Sequence, residues 1–76
     1  MRGDWGMYDK IAVGRRLKCL RHMTGKTQRE VSKEIGISIE TIRKLEQGKK
    51  GASMQVLDSL RDYYGSKMDF ILYGDN

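Results

Sequence analysis

The chain has 76 residues, with 15 Lys plus Arg against ten Asp plus Glu and a formal charge of +5. That length holds one small domain, and no apolar run approaches the roughly 18 residues of a membrane span. A single cysteine excludes an intramolecular disulfide scaffold, and the N-terminus lacks a signal-peptide apolar region, so a reducing cytoplasm is expected. No proline and only one Phe suit short helices better than a β-sandwich. The charge is unevenly placed. Residues 1–53 hold 13 basic and six acidic side chains and residues 54–76 two and four, balances of +7 and −2. A basic body with an acidic end is one way to face a polyanion on one side.

Residues 1–8 read as an N-terminal arm, expected to be partly disordered; Trp5-Gly6-Met7-Tyr8 within it is aromatic enough to pack on something. Asp9 opens a first helix over about 9–23, with Val13, Leu17 and Leu20 spaced i, i+4, i+7 on its apolar face. Gly14 inside that helix costs about 1 kcal/mol of propensity and is compatible with a close helix contact. Thr27-Gln28-Arg29-Glu30 is a capping box opening a second helix, 28–35, with Val31 and Ile35 inward. Gly36 ends it in the left-handed conformation. Ser38 caps a third helix, 39–47, with Ile42 and Leu45 inward and Gly48 after it. Ser53 caps a fourth, 54–64, carrying Val56, Leu57, Leu60 and Tyr64. A fifth, 67–73, turns Met68, Ile71 and Leu72 inward before Gly74, and 75–76 form a tail.

Only Gly36-Ile37-Ser38 separates helices two and three. Two helices joined this tightly cross steeply, leaving the outer face of the second proud of the body, which is the helix-turn-helix geometry.

These segments resemble the phage-repressor and Cro-type (lambda-repressor-like, XRE-like) helix-turn-helix family. Val13 to Arg21 is similar to its first helix, and Thr27-Gln28-Arg29-Glu30-Val31 to its T-Q-x-E-L opening of helix two. Gly36-Ile37-Ser38 with Ile42 to Lys49 resembles its turn and recognition helix. Met68-Asp69-Phe70-Ile71-Leu72-Tyr73-Gly74 resembles its closing D-[FWY]-L-L-x-G helix. The likeness runs from about Val13 to Gly74 and implies an all-α, five-helix, lambda-repressor-like domain. Departures are Lys26 where the family usually has Leu, Ser32 for Ala, Ala52 for Pro, and Ser66-Lys67 at the start of helix five.

With Ile42 and Leu45 inward, the free face of helix three holds Glu40, Arg43, Lys44 and Gln47, with Ile39 at its N-terminal edge. Arg43 or Lys44 can donate to guanine, Glu40 can accept from cytosine, and Ile39 can meet a thymine methyl, so these four are the candidate base readers. Candidate phosphate contacts are Thr27 and Gln28 at the N-terminus of helix two, Ser38, Thr41 and Gln47 around helix three, and Lys49 and Lys50 after it. The resemblance implies that the Gln28 side chain holds a phosphate, that Arg21 and Glu46 form a structural ion pair, and that helices four and five carry dimer contacts. Tyr63, Phe70 and Tyr73 are the dimer candidates, while Tyr64 and Ile71 read better as core.

Other signals carry less. Gly25-Lys26-Thr27 is the tail of a phosphate-binding loop whose first glycine would fall at Leu20. Arg2-Gly3-Asp4 is a chance tripeptide. Cys19 and His22 lie near one another on helix one, but two ligands fall short of the four usual for zinc, so no metal or other cofactor is expected. Asp58 and Asp62, at i, i+4, read as a solvated face. No catalytic constellation surrounds the single histidine, so an enzyme is not expected.

The expectation is therefore a sequence-specific regulator of transcription, a repressor, binding double-stranded DNA in the cytoplasm as a homodimer on a two-fold operator, with no membrane partner. The alternatives are an antitoxin or adaptor that binds a partner protein (a toxin or effector), or the DNA-binding part of a longer regulator.

Overall fold

A computed structural model describes residues 8–74. Among these, five helices and no strand are found: α1 Lys10–Thr24, α2 Gln28–Ile35, α3 Ile39–Gln47, α4 Met54–Tyr64 and α5 Met68–Tyr73. The expectations for residues 1–7, and for the tail at 75–76, lie outside the described residues.

Side-chain caps set the helix starts. Asp9 stands just outside α1 in extended conformation, its carboxylate accepting from the Ile11 and Ala12 amides, so α1 begins one residue later than expected. It also ends one residue later, at Thr24, whose hydroxyl donates to the Arg21 carbonyl. Thr27 and Glu30 close a reciprocal capping box on α2; Ser38 and Ser53 accept from the amides of Thr41 and Val56. Lys67 offers α5 no side-chain cap, and that helix starts at Met68 rather than at residue 67. Where Ser would usually cap, the lysine cannot accept an amide proton.

Tyr8 belongs to the domain rather than to an arm: it is half-buried, and its hydroxyl donates to the Ala52 carbonyl at 2.8 Å.

The core is one cluster drawn from every helix: Val13, Leu17 and Leu20 of α1, Val31 of α2, Ile42 and Leu45 of α3, Leu57 and Leu60 of α4, Ile71 of α5. α1 is the hub, packing on α3, α4 and α5, while α2 packs on α3 and α4. Gly14 explains how closely α1 meets α3. A Cβ there would run into the Leu45 carbonyl oxygen and lie 3.0 Å from that of Glu46, so only glycine lets the two backbones touch. Two residues along α1, Arg16 ties the hub to α5, donating from Nη1 to the Ile71 carbonyl at 3.2 Å.

Candidate nucleic-acid interface

The turn between α2 and α3 is built from two local devices. Gly36 takes φ +75° at the end of α2, and Ser38 restarts the chain as the α3 cap. The link is three residues, so α3 buries Ile42, Leu45 and Glu46 and turns its remaining face outward. Glu40, Arg43, Lys44 and Gln47 are exposed there; Ile39 and Thr41 are half-buried at its start.

On this face Glu40 is held between two cations. Arg43 donates from Nη1 to one carboxylate oxygen, and the Lys44 ammonium lies 3.8 Å from the other. Exposed helical pairs of this kind are worth only about 0.3–0.5 kcal/mol each, against about 1–3 kcal/mol for a bidentate contact with a base. The pairing therefore orders the three side chains without locking them away from a ligand. Ser38 Oγ meets Thr41 Oγ1 at 2.9 Å as well as capping the helix, so these two hydroxyls form one unit at the α3 N-terminus. Lys49 and Lys50 are exposed just beyond the C-terminal end of α3.

Behind the face lies a buried polar node. The Arg21 guanidinium donates from Nε to Glu46 Oε2 at 2.8 Å and from Nη2 to Oε1 at 2.9 Å, both residues being under 10% exposed. Nη1 donates to the Lys26 carbonyl at 3.0 Å, and the Gln28 side-chain amide donates to Glu46 Oε1 at 3.0 Å. α1, the loop before α2, α2 and α3 are thus tied at one point. Its hydrogen bonds to Glu46 hold the Arg21 pKa above its ordinary value, although burial opposes this. Burial chiefly, and then the Glu46 charge, push the nearby Tyr64 phenol up.

An open depression runs from the end of α1 to the start of α2, lined by Lys18, His22, Lys26 and Arg29 around Thr27 and Gln28, with Ile39 at its rim. Backbone amides in the first turn of a helix lack intrahelical acceptors and carry the positive end of its dipole, so this depression suits an anion. Lys18, His22 and Arg29 had no role assigned from sequence. The only sequence signal for them is the i, i+4 spacing of Lys18 and His22, which is meaningless until the α2 terminus is known to lie alongside. Lys26, at a position where the family usually carries Leu, is half-buried with its ammonium 3.3 Å from Glu34 Oε2.

The dimer candidates differ in their surroundings on α4 and α5. Tyr73 is 49% exposed, whereas Phe70 and Tyr63 are half-buried against the core. The Tyr63 hydroxyl donates to Glu34 Oε1, crossing from α4 to α2, and its ring meets that of Tyr64 edge-on at 5.2 Å. That hydrogen bond raises the Tyr63 pKa to about 12 and, with Lys26, lowers that of Glu34.

Comparison with known proteins agrees with this arrangement. A protein of Methanocaldococcus jannaschii named as an HTH-type transcriptional regulator is 31% identical over 62 residues, which are 80% of this chain and 94% of that protein. The crystal structure of the clp gene regulator ClgR from C. glutamicum aligns with a TM-score of 0.79 at 28% identity, over 86% of this chain and 83% of that one. The BldD DNA-binding domain of S. venezulae shares the fold, with a TM-score of 0.75 at 21% identity, over 84% of this chain and 96% of its own. Residues 12–69, from within α1 into α5, match the family described as Helix-turn-helix domain. The chain belongs to that family and has the all-α fold of helix-turn-helix transcriptional regulators.

Proposed function

We propose that this chain is a sequence-specific double-stranded DNA-binding regulator that acts as a repressor in the cytoplasm, bound as a homodimer to a two-fold operator. The observation that carries the reading is the pairing of an outward α3 face with a basic depression at the α2 N-terminus. The first can enter a major groove and the second can seat the adjacent phosphate. Ile39, Glu40, Arg43 and Lys44 read base edges. Thr27, Gln28, Ser38, Thr41, Gln47, Lys49 and Lys50 hold the backbone, and Lys18 and Arg29 join them. Gln28 does this with its second amide hydrogen while the first stays on Glu46. Two domains are needed because one short helix discriminates weakly; Tyr63, Phe70 and Tyr73 supply the contact between them.

Selection of sites from random duplexes, followed by anisotropy titration at several salt concentrations, tests this. A palindromic site should emerge with half-sites about 34 Å apart, one turn of DNA. Affinity should fall with salt at a slope of about −0.9 per neutralised phosphate. No palindrome, and affinity that never leaves the non-specific range of about 1–100 μM, would sink the proposal.

A further inference from the structure

Leu20 and Arg21 face the interior from α1, which leaves Cys19, His22 and Met23 on one outward stripe at i, i+3 and i+4. Met23 is 75% exposed, more than Ile11, Met54 or Tyr73, and the core makes no use of it. The Cys19 thiol is aimed at the Met23 thioether, Sγ to Sδ 3.9 Å, and Cys19 is a free, exposed cysteine. All three side chains line one open depression together with Arg15 and Lys18.

We propose that Cys19, Met23 and His22 bind one soft monovalent cation, Cu(I), with the thiolate, the thioether and the imidazole as ligands. Two metal–sulfur bonds of about 2.3 Å opened to a trigonal 120° put the sulfurs about 4.0 Å apart, close to the spacing already present. Thiolate and thioether donors select Cu(I) over hard ions. The surrounding charge makes the same choice. Among the described residues no carboxylate lines the depression while Arg15 and Lys18 do, so a divalent ion meets uncompensated positive charge. A monovalent ion on one thiolate forms a neutral unit. Zinc also lacks its usual fourth ligand here, because among the described residues no three of His, Cys, Asp and Glu converge. Binding is a ligand addition with no redox step: the Cys19 proton passes to solvent as the Cu–S bond forms.

The test is anaerobic titration of the whole chain with Cu(I) against a chromogenic Cu(I) chelator, repeated with Ag(I) as a redox-silent probe. One equivalent should bind per chain, with the chain's oligomeric state unchanged. Cys19→Ser should abolish that equivalent, and Met23→Leu and His22→Asn should each weaken it about tenfold or more. All three positions are exposed, and an unchanged helical circular-dichroism spectrum keeps folding out of the comparison. Wild-type affinity in both Met23→Leu and His22→Asn would mean capture by a bare thiol and overturn the site. So would one ion shared between two chains, or displacement of Cu(I) by a modest excess of Zn(II).

Discussion

Substituting Gly14 by Ala separates propensity from packing, because the two predict opposite signs. In a helix interior the change should stabilise by about 1 kcal/mol. Here the added methyl meets the Leu45 carbonyl oxygen and lies 3.0 Å from the Glu46 carbonyl oxygen. Both obstacles are backbone of α3, so relief requires moving the helix and with it Ile42 and Leu45, rather than turning a side chain. Overpacking of a tight core costs about 1–3 kcal/mol, and a backbone clash belongs at or above the top of that range. Net destabilisation of about 2 kcal/mol is expected, from a total that for this length is about 4–11 kcal/mol. For a domain of this size that lowers the thermal midpoint by about 8–16 °C. Circular-dichroism melts and urea titrations measure it, with a shifted midpoint and an unchanged urea slope. A Gly14→Ala chain as stable as wild type, or more so, would refute the close approach of α1 and α3.

Two further glycines form a graded pair. Gly36 at φ +75° has no atom of the described residues within 4 Å of an added Cβ, so Gly36→Ala should cost only the backbone penalty of about 1–2 kcal/mol. Gly48 shares that φ, but its Cβ would sit 2.9 Å from Ile11 Cα; Gly48→Ala should cost at least 1 kcal/mol more in urea titration, and equal losses would contradict the packing. Glu46→Ala strands the buried Arg21 guanidinium and should cost about 3–5 kcal/mol, with Arg21→Met plus Glu46→Leu recovering most of it; an exposed-type loss under about 1 kcal/mol would deny the node. Tyr63→Phe tests the α2–α4 tie through pH. Glu34 is held below 4.5, so its share of stability is present above 4.5 and lost as pH falls through the lowered value. Tyr63 is raised from 10 to about 12, so its share is present below 10 and lost as pH rises towards 12. The stability gap between wild type and Tyr63→Phe should therefore be flat between 4.5 and 10 and close at both ends. A gap independent of pH would show that the hydrogen bond between the Tyr63 hydroxyl and Glu34 is not its source.

The fold was legible where its determinants are local. A capping side chain, a glycine past the helix end and apolar residues at i, i+3 and i+4 each act within one or two turns, so Thr27, Ser38, Gly36 and the core positions announce themselves. The candidate site was legible only in part. Glu40, Arg43 and Lys44 follow from the phase of α3 alone. The basic depression does not, because Lys18 and His22 gain meaning only where α1 ends beside the start of α2. Likewise Tyr8 reaches Ala52 across 44 residues and Gln28 reaches Glu46 across 18, contacts with no periodic trace. Helix five was misplaced by one residue for a local reason, since Lys67 stands where a capping hydroxyl would have marked the start.

Pairing on α3 also changes what the net charge does. Glu40 offsets one of its two cationic neighbours, so the outward α3 face carries about one net positive charge, whereas Lys18, Arg29, Lys49 and Lys50 make no ion pair among the described residues. On the proposed function, long-range attraction to DNA comes from the flanks, and discrimination from a face whose cations must exchange Glu40 for a base. Removing Glu40 should uncouple the two effects. Glu40→Ala raises the formal charge from +5 to +6 and frees Arg43 and Lys44 for phosphates. Binding to random duplex should tighten severalfold at low salt with a steeper salt slope, as one more phosphate is neutralised. Preference for the selected site should fall, since Glu40 no longer excludes base pairs that lack a donor at its position. Uniform tightening with the preference intact would leave Glu40 as a surface counter-charge. Weaker binding to every sequence would mean that the Glu40 pairs position Arg43 and Lys44 rather than restrain them.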